Sequence, residues 1–277
     1  MLSKLQKSPE KARLVLITLA IGYLVLILLA PAVNVFWQAF SQGIEPVLHT
    51  LTDVEFISAV RLTLLVALVV VPINTVFGLC AAWALARHHF RGRSLVLSLL
   101  DLPFSISPVV AGLMMVLLYG NRGWFGSWLA AVGLKVIFGV PGIIIATTFV
   151  TMPFVAREVI PVLEEIGSEQ EEAARTLGAN EWQLFWHVTL PNIRWGLLYG
   201  VILTNARAMG EFGAVSVVSG NIARKTQTLS LFVEEAYKQY ATTSAFAASV
   251  LLALLGLVTL GLKLVLERQI MVKHKEE

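Results

Sequence analysis

The sequence predicts an all-α protein that crosses a membrane several times, and three features of its 277 residues carry that prediction. Hydrophobic residues make up 57% and charged residues 14%, with a mean hydropathy of +0.76, which is too apolar for a surface hydrated on all sides. The apolar residues fall in runs of about 20, the length a helix needs to cross the hydrocarbon core while satisfying its own backbone. The basic residues gather at the ends of those runs, as orientation in a bilayer requires. That placement also argues against nucleic acid as the reason for a net charge of +3.

Six segments are long enough, or nearly so, to span: 14–37, 62–86, 95–119, 136–156, 195–218 and 244–266. The first follows Lys4, Lys7, Lys11 and Arg13 like the charged start of a signal peptide, yet it exceeds a signal core of about 7–15 residues and reads as a retained anchor. With its outer loop it forms region 1–57, ahead of a core domain over 58–266 and a tail over 267–277. Cys80 lies within the second span and reads as a small buried hydrophobe; a lone cysteine offers neither a disulfide framework nor a thiolate cluster. Arg87, His88, His89, Arg91 and Arg93 form a short basic loop that reads as a topology anchor and is too isolated for a metal site.

The third span opens with DLPFSISPVVAGL, in which Pro103 and Pro108 free backbone carbonyls beside Ser105 and Ser107. Two readings stand: a kink without ligand contact, or a pore-lining break. After the fourth span, residues 159–191 are long, acidic and helical in pattern, an arm built to meet a partner. The fifth span holds Asn205, Arg207 and Glu211 within LTNARAMGEFGAVSVVSG. Arg207 and Glu211 are four residues apart on one helix face, either a structural or gating pair or a direct contact for an anionic substrate. Gly210 and Gly213 beside them permit close helix contact. The loop 220–243 is long enough for a partly folded outer cap before the sixth span. Counting Lys and Arg between spans places both termini in the cytoplasm.

The arm carries EEAARTLGANEWQLFWHVTLP. Ser168 or Glu169 can cap a short helix whose Ala173 and Ala174 let another surface approach, and Gly178 permits a sharp turn into a second helix. Trp182, Phe185 and Trp186 give that second helix an apolar face, and Leu190 and Pro191 lead into the fifth span. Glu172, Ala173, Ala174 and Gly178, then Val188, Leu190 and Pro191, resemble the E-A-A-x3-G-x9-I-x-L-P motif of binding-protein-dependent ABC permeases, with Val188 where the pattern has Ile. The fifth-span and DLPFSISPVVAGL stretches are similar to the sulfate and molybdate oxyanion group of that family, and nearest in pattern to sulfate and thiosulfate permeases.

The resemblance implies a type I importer permease fold in the plasma membrane, in contact with lipid. It implies a homologous second permease, two ATPase subunits and an outer binding protein, and gives Glu172, Ala173, Ala174, Gly178, Leu190 and Pro191 the coupling role. Asn205, Arg207, Glu211, Ser105 and Ser107 are the candidates for the anion path or gate. The sequence has no G-x-x-x-x-G-K-[ST] loop, so ATP and Mg belong to the partner ATPases, with no cofactor in this chain. No nucleophile and base can be named for an intramembrane enzyme. A proton-coupled carrier would need titrating carboxylates, for which only Glu211 and Asp101 qualify, and would have no use for the arm. A molybdate or tungstate permease is the alternative within transport, and a non-transporting scaffold the alternative outside it.

Overall fold

The structure is a computed structural model that describes residues 7–273, with side chains for 13–259 and Gly261. Among the described residues every regular element is helical. In chain order these are α1 (Lys7–Leu24), α2 (Ala30–Phe40), α3 (Glu45–Thr52), α4 (Val54–Arg87), α5 (Arg93–Leu100), α6 (Leu102–Ser105), α7 (Pro108–Tyr119) and α8 (Gly126–Ala131). Then follow α9 (Val140–Thr151), α10 (Pro153–Ile166), α11 (Glu169–Thr176), α12 (Glu181–Leu184), α13 (Leu190–Met209), α14 (Gly213–Val218), α15 (Leu229–Lys238) and α16 (Thr242–Lys273). Single π-helical turns at Val25–Leu29 and Phe185–Thr189 join α1 to α2 and α12 to α13 without a loop.

Among the described residues four helices are long and apolar enough to cross a membrane: Arg13–Phe40, Val54–Arg87, Val140–Ile166 and Thr242–Thr259. The expected third and fifth spans are broken instead. Pro103 and Pro108 lack the N–H that would continue a helix, and Ile106 and Ser107 turn extended, dividing 95–119 into α5, α6 and α7. The span 195–218 divides at Gly210, after which Glu211 accepts a bond from the Ala214 N–H at 3.0 Å and starts α14. The fourth expected span runs on past residue 156 to Ile166, so the helix, turn, helix segment itself begins at Gly167.

The chain forms two compact units, Met1–Thr52 with Val233–Val250, and Asp53–Phe232 with Leu251–Glu277. In the first, Thr50 bonds Ser244 at 3.0 Å and Thr243 bonds Gln42 at 3.0 Å. The most apolar 18-residue stretch within Arg13–Phe40 has no buried residue, and Trp37 is 72% exposed, which suits lipid or another protein as its surroundings.

The second unit centres on α4, α10 and α13, whose Ala82, Leu85, Val155, Val159, Leu163 and Ile193 pack together. Small residues set the spacing: a Cβ added at Gly78 would lie 2.6 Å from the Val155 Cβ, and one at Gly200 2.8 Å from the Val155 Cα. A second cluster joins α7, α8, α9 and α14 through Met115, Leu129, Val150 and Val218. The 220–243 loop is folded from Thr226 onward, with Leu229 buried and its N–H bonded to Thr63 at 2.8 Å. Cys80 is exposed rather than buried, because it lies on the side of α4 away from this core.

Candidate coupling arm and pathway residues

The arm is shaped by two left-handed glycines. Gly167 (φ +70°) ends α10 and Gly178 (φ +86°) ends α11, so the chain reverses twice within a dozen residues. After Gly178, Asn180 starts α12 with a reciprocal cap: it accepts from the Gln183 N–H at 2.8 Å, and its own N–H donates to the Gln183 side chain at 3.0 Å. Ser168 occupies the cap position of α11, but its hydroxyl bonds the Glu172 carboxylate at 2.6 Å instead of a backbone N–H, a correction to the expected cap. Arg175 reaches across the turn to Glu181 at 3.0 and 3.2 Å and holds the Glu181 carboxyl below the usual carboxylate range.

Of the motif residues, Glu172, Ala173 and Gly178 are exposed and Ala174 is half-buried, leaving a smooth, low-relief outer face. Leu177, Trp182 and Trp186 stand 89%, 76% and 56% exposed around it. Large apolar side chains left open around small ones are what a docking surface requires. Trp182, Phe185 and Trp186 also border a groove of about 560 Å³ against Leu79, Cys80 and Trp83 of α4. Leu190 and Pro191 open α13, and Pro191, which lacks an N–H, falls directly after the π-helical turn.

The inner face of α11 holds residues that the sequence reading passed over. Glu171, immediately before the motif glutamate, is buried and takes both Nε and Nη2 of Arg87, each at 3.0 Å. Arg87 Nη1 donates to the Leu163 carbonyl at 2.7 Å, and the Thr189 hydroxyl donates to Glu171 at 3.0 Å. Arg87 is therefore more than a charge in a solvated loop, and Arg93 likewise bonds the Leu85 carbonyl at 2.8 Å and pairs with Glu164. The available signal was an acidic doublet, Glu171 and Glu172, whose members lie about 100° apart around a helix, so that one can be buried while the other stays exposed.

The pathway candidates divide. Glu211 is 1% exposed in its side chain and lies 2.6 Å from Arg207 Nη1, an ion contact in which the guanidinium N–H is not aligned for a hydrogen bond, while Arg207 remains 35% exposed. The Glu211 carbonyl also accepts from the Ser230 hydroxyl at 2.8 Å. The two helix breaks meet: a Cβ on Gly213 would lie 2.8 Å from the Pro108 Cβ, which puts the start of α7, with Ser107 before it, against the start of α14. Gly210 makes no such approach. Asn205 reaches the Met209 sulfur at 4.0 Å and Ser105 lies exposed on α6; among the described residues no hydrogen bond joins either to Arg207.

A helical body with two broken apolar stretches and an exposed arm between its fourth and fifth apolar stretches is the architecture expected of a membrane transport subunit of the importer type. The fold agrees with a chain of a bacterial alginate ABC transporter crystallised with an alginate pentasaccharide-bound periplasmic protein, at a TM-score of 0.77 and 19% identity over 97% of both chains. Residues 74–272 match the family model "Binding-protein-dependent transport system inner membrane component", and the chain belongs to that family. It is 66% identical over 94% of both chains to the sulfate transport system permease protein CysW of Synechocystis, and 42% identical to CysT of Escherichia coli K12 over 87% of this chain and 89% of that one.

Proposed function

We propose that this chain is the membrane permease subunit of an ATP-driven importer for sulfate and thiosulfate. The observation that carries this reading is the exposed arm with Glu172, Ala173, Ala174 and left-handed Gly178. The similarity to CysW and CysT supports sulfate as the ion and does not favour molybdate. In this reading the chain makes six crossings of the plasma membrane, the third and fifth as broken helices, with both termini in the cytoplasm. A homologous CysT-type permease forms the other half of the pathway, two CysA-type ATPases carry ATP and Mg, and an outer binding protein delivers the anion. This chain has no ATPase site of its own.

Closure of the ATPases can drive transport only if its energy differs between inward and outward states of the membrane part, and the arm supplies that linkage. A dianion needs donors and positive potential without a deep trap. Arg207, partly neutralised by Glu211, meets that requirement, and Asn205, Ser105 and Ser107 supply weaker polar groups along the path. The test is uptake of labelled sulfate by vesicles carrying the reconstituted complex, with and without ATP and with excess molybdate. ATP-dependent uptake that molybdate barely inhibits is expected; preferential molybdate transport would overturn the substrate assignment.

A further inference from the structure

Three helix ends meet at one arginine–carboxylate pair, whose carboxylate is carried by α11. Arg87 is the last residue of α4, Leu163 lies in the final turn of α10, Thr189 immediately precedes α13, and Glu171 lies in α11. The Arg87 side chain is 10% exposed and that of Glu171 4%. The Leu163 carbonyl is one of the last four of its helix, which have no partner within it, and Arg87 supplies the missing donor. A bidentate arginine–carboxylate contact fixes orientation as well as distance, because both planes must stay aligned. A second tie, Asn192 to Gln170 at 2.7 Å, again joins α13 to α11.

Glu172 faces outward on the same helix, so whatever displaces the outer face of α11 displaces Glu171 with it. A buried ion pair is poor evidence for stability, since apolar or neutral replacements of both partners are often as stable. Its directional geometry is better suited to holding two elements in register.

We propose that Arg87 and Glu171 are positioning residues that carry motion of the arm into the ends of α4, α10 and α13. The proposal rests on the reading of the arm as the ATPase-coupling element and adds the residues on this chain's side of the transmission.

The test measures three quantities on the complete complex in proteoliposomes: recovery of the ATPase subunits on purification, unfolding temperature, and sulfate taken up per ATP hydrolysed. Arg87→Gln and Glu171→Gln each leave a buried charge unpaired and are expected to lower both the unfolding temperature and the uptake per ATP, the latter at least tenfold. The double variant removes both charges; it is expected to regain assembly and unfolding temperature while uptake per ATP stays at least tenfold down. If the double variant regains coupling together with stability, the pair is a structural staple and the proposal is overturned. Thr189→Val, which deletes one bond to Glu171 without changing charge, is expected to lower uptake per ATP about threefold in a normally assembled complex, and an unchanged ratio also counts against the proposal. Glu172→Ala separates the two levels. If it leaves uptake per ATP intact, the arm reading itself fails; if it uncouples while the Glu171 and Thr189 variants do not, only this inference falls.

Discussion

At Gly178 the backbone is left-handed and nothing lies within 4 Å of the position a Cβ would take. A methyl group therefore meets no clash and costs only the backbone penalty, about 1 kcal/mol. Proline is different, because its ring fixes φ near −65° and removes the N–H that donates to the Arg175 carbonyl at 3.0 Å. Gly178→Ala is expected to retain most uptake, whereas Gly178→Pro inserts into the membrane and loses ATP-dependent uptake; normal uptake by the proline variant would sink the coupling assignment. At Arg207 the deciding fact is the buried Glu211. Removing the cation leaves that carboxylate with only the Ala214 N–H, at about 2–3 kcal/mol, less than for a fully buried pair because Arg207 is one-third exposed. Arg207→Gln should lower the unfolding temperature in detergent more than Arg207→Gln/Glu211→Gln does, and equal losses would show that the pair is not coupled.

Among the elements, helix spacing and arm closure respond to different variables. A Cβ at Gly200 or Gly213 would press on a neighbouring helix at 2.8 Å, whereas one at Gly210 meets nothing nearer than 3.6 Å. Alanine at Gly200 or Gly213 is expected to cost about 1–3 kcal/mol and alanine at Gly210 less than about 0.5, as read from detergent unfolding curves. The α11–α12 turn responds to pH through Glu181. Arg175 lowers its folded-state pKa, so the bridge contributes fully above the ordinary glutamate value near about 4.3 and is lost as pH falls through the lower folded value. Hydrogen exchange across residues 169–184, corrected for its intrinsic pH dependence, should show constant protection from pH 7 to 5 and a loss only below about pH 4. Loss of protection already between pH 7 and 5 would assign the turn's closure to another group.

For the whole molecule, orientation can be read by labelling in a Cys80→Ala background. Ala179→Cys is expected to react from the cytoplasmic side only and Tyr240→Cys from the outside only; the reverse pattern would invert the topology. The helical class and the arm were legible in the sequence because hydropathy and the Glu172 to Gly178 spacing are local properties. The broken helices were legible in part: Pro103 and Pro108 announced a bend, but the restart at Gly213 depends on the Glu211 carboxylate meeting the Ala214 N–H, which composition does not encode. Arg87 and Glu171 were not legible, being 84 residues apart and each explicable locally, one as a topology charge and the other as helix-start acid.

The π-helical turn at Phe185–Thr189 has a mechanical consequence. Because α12 passes into α13 without a loop, the arm and the following 20-residue helix form one continuous lever. At 1.5 Å per residue α13 is about 30 Å long, so a tilt of about 5° at its base sweeps the Met209 end through about 2.6 Å. That is close to the diameter of a water molecule, about 2.8 Å. In the proposed reading, a small tilt at the arm is thus amplified at the far end beside Arg207 to the scale of a single water molecule.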